Sequence, residues 1–142
     1  MKRILLFCLL ACDVGSMTAA LQAQQKTSME GARANRSNAT IEGLVRDVPC
    51  PIQNLDGNVT HLSMKCVLEC VKAGSPIAIL TKDGDLYLPI SARMPDYSQR
   101  QKLMPFVGKY VRVKGIVFER NGTRAIVITE ITEMKGVHLT LE

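Results

Sequence analysis

The sequence predicts a single, mainly β domain, on three observations. The chain has 142 residues with 46% hydrophobic content, enough to bury one core but hardly two. Aromatic residues make up only 4%, with no Trp, while Val and Ile recur from residue 76 onward; that balance fits strands better than a helical bundle. Two apolar stretches are each interrupted by a turn dipeptide, Asp83-Gly84 and Asn121-Gly122, and such pairs between apolar runs are strong hairpin signals.

The elements follow in order. ATIEGLVRDVPCPI places Ile41, Gly43 and Val45 on one side of a first strand, by the two-residue period of a pleated chain. Asp56-Gly57 marks a turn, and the helix-like run HLSMKCVLECVKAG follows. SPIAILTK and DLYLPIS flank Asp83-Gly84 as two antiparallel strands. MPDYSQRQKLMPFVG reads as a helix with Asp96 as N-cap, Leu103 and Met104 within reach of an apolar face, and Pro105 with Gly108 closing it. KYVRVKGIVFER and TRAIVITEITEM then pair across Asn121-Gly122. The order is strand, helical insert, strand, strand, helix, strand, strand. This is the order of a five-stranded OB-fold-like Greek-key barrel, with a helical insert after strand 1 and a helix between strands 3 and 4 that plugs one end. Gly115 would let the fourth strand bend around so small a barrel.

The start of the chain, MKRILLFCLLACDVGSMTAALQA, has two cations, a short apolar run and small residues before Ala23. That is the pattern of a secretory signal, and the run is too short to span a bilayer. The predicted organisation is a signal peptide over 1–23, a flexible tether over 24–38, the barrel domain over 39–136 and a C-terminal tail over 137–142. The tether is polar and lacks hydrophobic periodicity, so it should be dispensable for folding. The expected location is exported, periplasmic or secreted; Leu9-Leu10-Ala11-Cys12 offers a second reading, a lipoprotein anchored at Cys12. Cleavage removes Lys2, Arg3 and Asp13, leaving 16 cations and 12 anions, net +4. A charge of that size selects no class of partner.

Beyond the barrel order, the mature chain resembles small exported bacterial proteins built on this barrel, which join an early cysteine, a C-x3-C helix and a G-x-P-x-x-x-L strand. Those features stand here as Cys50, Cys66 with Cys70, and Gly74-Ser75-Pro76 leading to Leu80, and the resemblance covers about residues 39 to 134. It implies a binding or accessory module of the cell envelope and carries over no catalytic residue; an envelope protein, a peptide or a glycan is open as partner.

The cysteines hold the chemistry of interest. Cys66 and Cys70 are i and i+4, so a helix presents both on one face, where Cys50 can meet them. Three readings stand side by side. The thiols can be small buried hydrophobes. They can form a disulfide between Cys50 and one helix cysteine, since i,i+4 neighbours are too far apart to bridge each other. They can form a sulfur-rich Cu or Zn site from Cys50, Cys66 and Cys70, with His61 or Met64 as further candidates. C-x3-C also occurs in copper-handling proteins, some with a His four residues after the second Cys, where this chain has Gly74.

An enzyme is not expected. His61 and His138 are the only histidines, no Ser or Cys sits in a nucleophile motif, and no paired carboxylates, phosphate loop or cofactor fingerprint can be made out. A ligand face is the other candidate: Tyr87 on strand 3, with Tyr110, Arg112 and Lys114 alternating on strand 4, a pattern able to stack a ring and hold an anion, or else a solvated basic strand face. Export counts against nucleic acid as the ligand.

Overall fold

The structure, a computed structural model, describes residues 35–53 and 61–141. The signal peptide, Cys12, most of the tether and the Asp56-Gly57 turn lie outside the described residues. Five strands close a barrel: β1 (Asn35–Asp47), β3 (Ile77–Thr81), β4 (Leu86–Ile90), β5 (Tyr110–Arg120) and β6 (Thr123–Glu133). They are hydrogen-bonded in the order β1-β3-β4-β6-β5 and back to β1. Every neighbouring pair is antiparallel except β4 with β6. Counting the barrel strands alone from one to five, the order is 1-2-3-5-4, that of an OB-fold-like barrel.

β1 closes the barrel because it serves two partners. Asn35 to Leu44 pair with β5, and Gly43 to Asp47 pair with β3. The handover falls at Gly43, where an added Cβ would lie 2.5 Å from the Leu80 carbonyl oxygen and 2.8 Å from Ile79 Cγ2. Only glycine admits so close an approach of two backbones. The strand also begins earlier than its hydrophobic pattern indicates. Asn35 to Asn38, assigned to the tether by their polarity, pair with Ile116 to Glu119. All four are exposed, so no apolar alternation marks them as strand, and they belong with the folded domain.

The hairpins follow the expected turn chemistry. Gly84 takes φ +86° between β3 and β4, and its N–H donates to the Thr81 carbonyl. Asn121 and Gly122 both have positive φ, at 49° and 79°, the geometry that matches the right-handed twist of the flanking strands. Inside, Leu44, Val45, Ile79, Val111, Val113 and Ile126 are fully buried and form one cluster with Leu103, which reaches in from α3 (Arg100–Leu103). That helix is shorter than expected and runs on into a 3-10 turn, Met104–Phe106, with Pro105 in it. Asp96 is not its cap. Its carboxylate instead accepts hydrogen bonds from the Ser91 N–H at 2.6 Å and hydroxyl at 2.7 Å, which hold it below the ordinary carboxylate range.

The insert comprises α1 (Pro49–Gln53), the two-residue strand β2 (His61–Leu62) and α2 (Met64–Lys72). β2 pairs in parallel with β7 (Thr140–Leu141), and Val137 and Leu139 pack on the core, so the expected tail is fastened to the domain. Among the described residues no helix is long and apolar enough to cross a membrane.

Candidate metal centre

α2 is held at both ends, and that fixes its cysteines. Ser63 is the N-cap, its hydroxyl accepting from the Cys66 N–H at 3.4 Å. At the other end Gly74, with φ +100°, donates to the Val71 carbonyl while Ser75 donates to that of Cys70. This pair of bonds is a Schellman stop, and it requires a residue tolerant of positive φ. Arg100 adds a brace from α3, donating to the Val71 and Ser75 carbonyls. Val67 and Val71, one turn apart, are fully buried and dock the helix on the barrel. Cys66 and Cys70 precede them by one position each, so they sit about 100° round the helix from the docked stripe.

Into that flank α1 brings Cys50. Its Sγ lies 3.5 Å from that of Cys66 and 4.0 Å from that of Cys70, and all three sulfurs are within 4.8 Å of one another. Cys66 is exposed; Cys50 and Cys70 are half-buried. Among the described residues this is the one cluster of three or more Cys, His, Asp or Glu side chains with ligand atoms so close.

Cys50 is anchored by Asp47, the last residue of β1 and fully buried. Asp47 Oδ2 accepts the Cys50 N–H at 3.0 Å, satisfying one of the amides that the start of a helix leaves open. Its other oxygen faces Arg46 Nη2 at 3.6 Å; neither that oxygen nor Arg46 Nε has a hydrogen-bond partner among the described residues. The adjacent carboxylate is the main reason the Cys50 thiol is pushed up from 9.0 to about 12, with burial and the contact with Cys66 adding to it. Burial also raises Cys70, while its contact with Cys50 works the other way.

A reactivity order follows. At neutral pH iodoacetamide should modify the exposed Cys66 first and Cys50 last, with Cys50 labelling climbing as the pH approaches 12, because the thiolate is the nucleophile. Mass spectrometry of quenched time points checks this; equal labelling of Cys50 and Cys66 at pH 7 would contradict the burial and the role given to Asp47.

The other sequence candidates fall elsewhere. The Met64 thioether lies over Gly108 and packs on the core; two residues before Cys66, it is about 200° round the helix. His61 is exposed on β2, outside the three-sulfur group. Tyr110 is buried at 3% exposure in the core cluster and Tyr87 packs against that cluster. Both line a shallow groove of about 300 Å³ with Glu42, Lys82, Asp83 and Asp85, where Lys82 Nζ sits 5.8 Å from the Tyr110 ring centroid. Burial first, then Glu42 and Asp83, raise the Tyr110 hydroxyl. Arg112 and Lys114 are each ion-paired, to Glu42 at 2.7 Å and Glu130 at 3.0 Å. Glu42 of the groove pairs with Arg112 and Asp85 with Arg124, which leaves Lys82 and Asp83 as opposite charges in the lining, so its charge selects no class of ligand. Sequence reasoning missed Asp47; the signal available was Pro49, since proline favours the first position of a helix, and an acid just before such a start can accept its open amides.

The chain matches no protein-family model, no curated protein and no solved structure.

Proposed function

We propose that the protein is a metal-binding accessory module, exported by its leader, in which Cys50, Cys66 and Cys70 hold one soft cation, Cu(I) in preference to Zn²⁺. One observation carries this reading: three sulfurs from two helices converge within 4.8 Å. With metal–sulfur bonds near 2.3 Å, three sulfurs around a central ion stand about 3.8–4.0 Å apart. The two separations from Cys50, 3.5 and 4.0 Å, bracket that spacing, and the third lies within 4.8 Å. Thiolates favour Cu(I) and Zn²⁺ among biological cations. Zn²⁺ prefers four ligands, and Cu(I) is satisfied by three sulfurs. The half-buried position of two thiols limits water at the ion; α2 is docked on the barrel through Val67 and Val71, and Asp47 of β1 holds the start of α1 through the Cys50 N–H.

The test is Cu(I) titration of the reduced full chain carrying Cys8→Ser and Cys12→Ser, in competition with a chromophoric Cu(I) chelator under inert gas. One equivalent should be retained. Replacing Cys50, Cys66 or Cys70 singly by Ser should each weaken binding by about 100-fold or more, while Met64→Leu and His61→Ala should change it little. Failure to retain either Cu(I) or Zn²⁺, or indifference to Cys50→Ser, would sink the proposal.

A further inference from the structure

We infer that the three thiols are also a redox gate, in which Cys50 closes a disulfide with either helix cysteine by exchange with a small-molecule or protein disulfide, and closure ejects the metal. The ejection rests on the metal reading above; the exchange does not.

The geometry makes Cys50 the shared partner. It stands 16 residues before Cys66 and 20 before Cys70, on a separate helix, with its sulfur at 3.5 and 4.0 Å from theirs. Cys66 and Cys70 occupy successive turns of α2. Side chains at that spacing have Cβ atoms about 5–6 Å apart, beyond the roughly 3.5–4.5 Å a disulfide accepts. The helix pair therefore cannot bridge internally, and either member can bridge to Cys50. α1 is five residues long, so the shift needed to reach an S–S bond of about 2.0 Å falls on a short segment.

Exposure sets the order of events. Cys66 faces solvent and meets the incoming R–S–S–R. Its thiolate attacks one sulfur, the R–S–S–R bond breaks, a Cys66–S–S–R bond forms, and RS⁻ leaves to take up a proton. Cys50, having released its proton to water, then attacks Cys66 Sγ and expels the second RS⁻. In sum, two protein thiols are oxidised to one disulfide and R–S–S–R is reduced to two RSH. Cys70 remains a thiol beside Cys50, and attack on the Cys50 sulfur moves the bridge to the half-buried pair while freeing Cys66. Either bridge leaves a single thiolate, too few to hold Cu(I).

The experiment uses the full chain carrying Cys8→Ser and Cys12→Ser, so that the triad supplies every thiol. The metal-free reduced protein is incubated to equilibrium with excess oxidised glutathione, quenched by alkylation, and analysed by intact mass and non-reducing peptide mapping. Free thiols should fall from three to one, with a bridge that includes Cys50. Cys66→Ser and Cys70→Ser should each still close a bridge through Cys50 and retain no free thiol, whereas Cys50→Ser should form no internal bridge. An internal Cys66–Cys70 disulfide in Cys50→Ser, or glutathione adducts alone in the parent chain, would overturn the inference. In a parallel arm, Cu(I)-loaded protein should surrender its copper to a chelator over the time course of thiol loss. A chain that never takes up copper removes the metal reading and leaves the exchange result standing; a chain that loads copper but keeps three thiols removes the gate alone.

Discussion

Gly115→Val should destabilise the protein by about 3 kcal/mol or more, a large share of the 5–15 kcal/mol typical of a small domain. An added Cβ at Gly115 would collide with the Val127 carbonyl oxygen of the neighbouring strand β6 and stand 3.0 Å from Ile126 Cγ1. The oxygen is backbone and cannot rotate away. The register between β5 and β6 also slips between Lys114 and Gly115, leaving Thr129 as an extra residue whose hydroxyl donates to the Lys114 carbonyl at 3.0 Å. A side chain there must undo either the bulge or the barrel closure. Arg112→Ala on the same strand is the comparison. Its ion pair with Glu42 is about half exposed on both sides, so the loss should stay within about 1 kcal/mol. Urea unfolding of both variants decides it: equal, small shifts in midpoint would mean that the barrel does not depend on the close approach at Gly115.

What could be read in the sequence follows the range of the interactions that fix it. Asp83-Gly84 and Asn121-Gly122 declare their hairpins because two adjacent residues set the turn. The spacing of Cys66 and Cys70 declares a shared face because helical geometry is local. The arrival of Cys50 beside them follows from packing a short insert against the barrel. Features that depend on distant partners were illegible. Asn35 to Asn38 are strand only because Ile116 to Glu119 stand beside them; β2 exists only through its pairing with β7, nearly 80 residues on. Tyr110, Arg112 and Lys114 read as a ligand face or as a solvated basic strand face, because alternation shows only which side chains share a side. It cannot show that Glu42 and Glu130 arrive from β1 and β6 to pair with the two cations, nor that the tyrosine at the strand's start is sealed into the core. Asp96 had the chemistry of a cap, and Ser91 five residues earlier captured it.

Asp47 is where the stability of the fold and the chemistry of the site meet, and Asp47→Ala should cost about 3 kcal/mol. Its carboxylate is fully buried, and the Arg46 side chain beside it is only 12% exposed. Removing one partner of a buried pair leaves the other charge uncompensated, a loss of about 3–5 kcal/mol. The 3.6 Å separation and the unpartnered Oδ1 and Nε atoms put this pair at the low end. Removing both charges together, as Arg46→Met with Asp47→Ala, should recover much of the loss. Asp47→Asn separates two roles, since the amide oxygen can still accept the Cys50 N–H but brings no charge to the thiol. That variant should unfold between the parent and Asp47→Ala, and its Cys50 should be alkylated faster at neutral pH, because the carboxylate is the first cause of the raised thiol. The sign of the pH dependence is fixed by the same shift. A thiol raised from 9.0 to about 12 in the folded state contributes stability that is fully present below pH 9 and is lost as the pH rises through 12. The metal-free parent should therefore lose thermal stability over that window more steeply than Asp47→Asn. Parallel melting curves for the two from pH 8 to 11, together with unchanged Cys50 labelling, would show that Asp47 braces the end of β1 without governing the thiol.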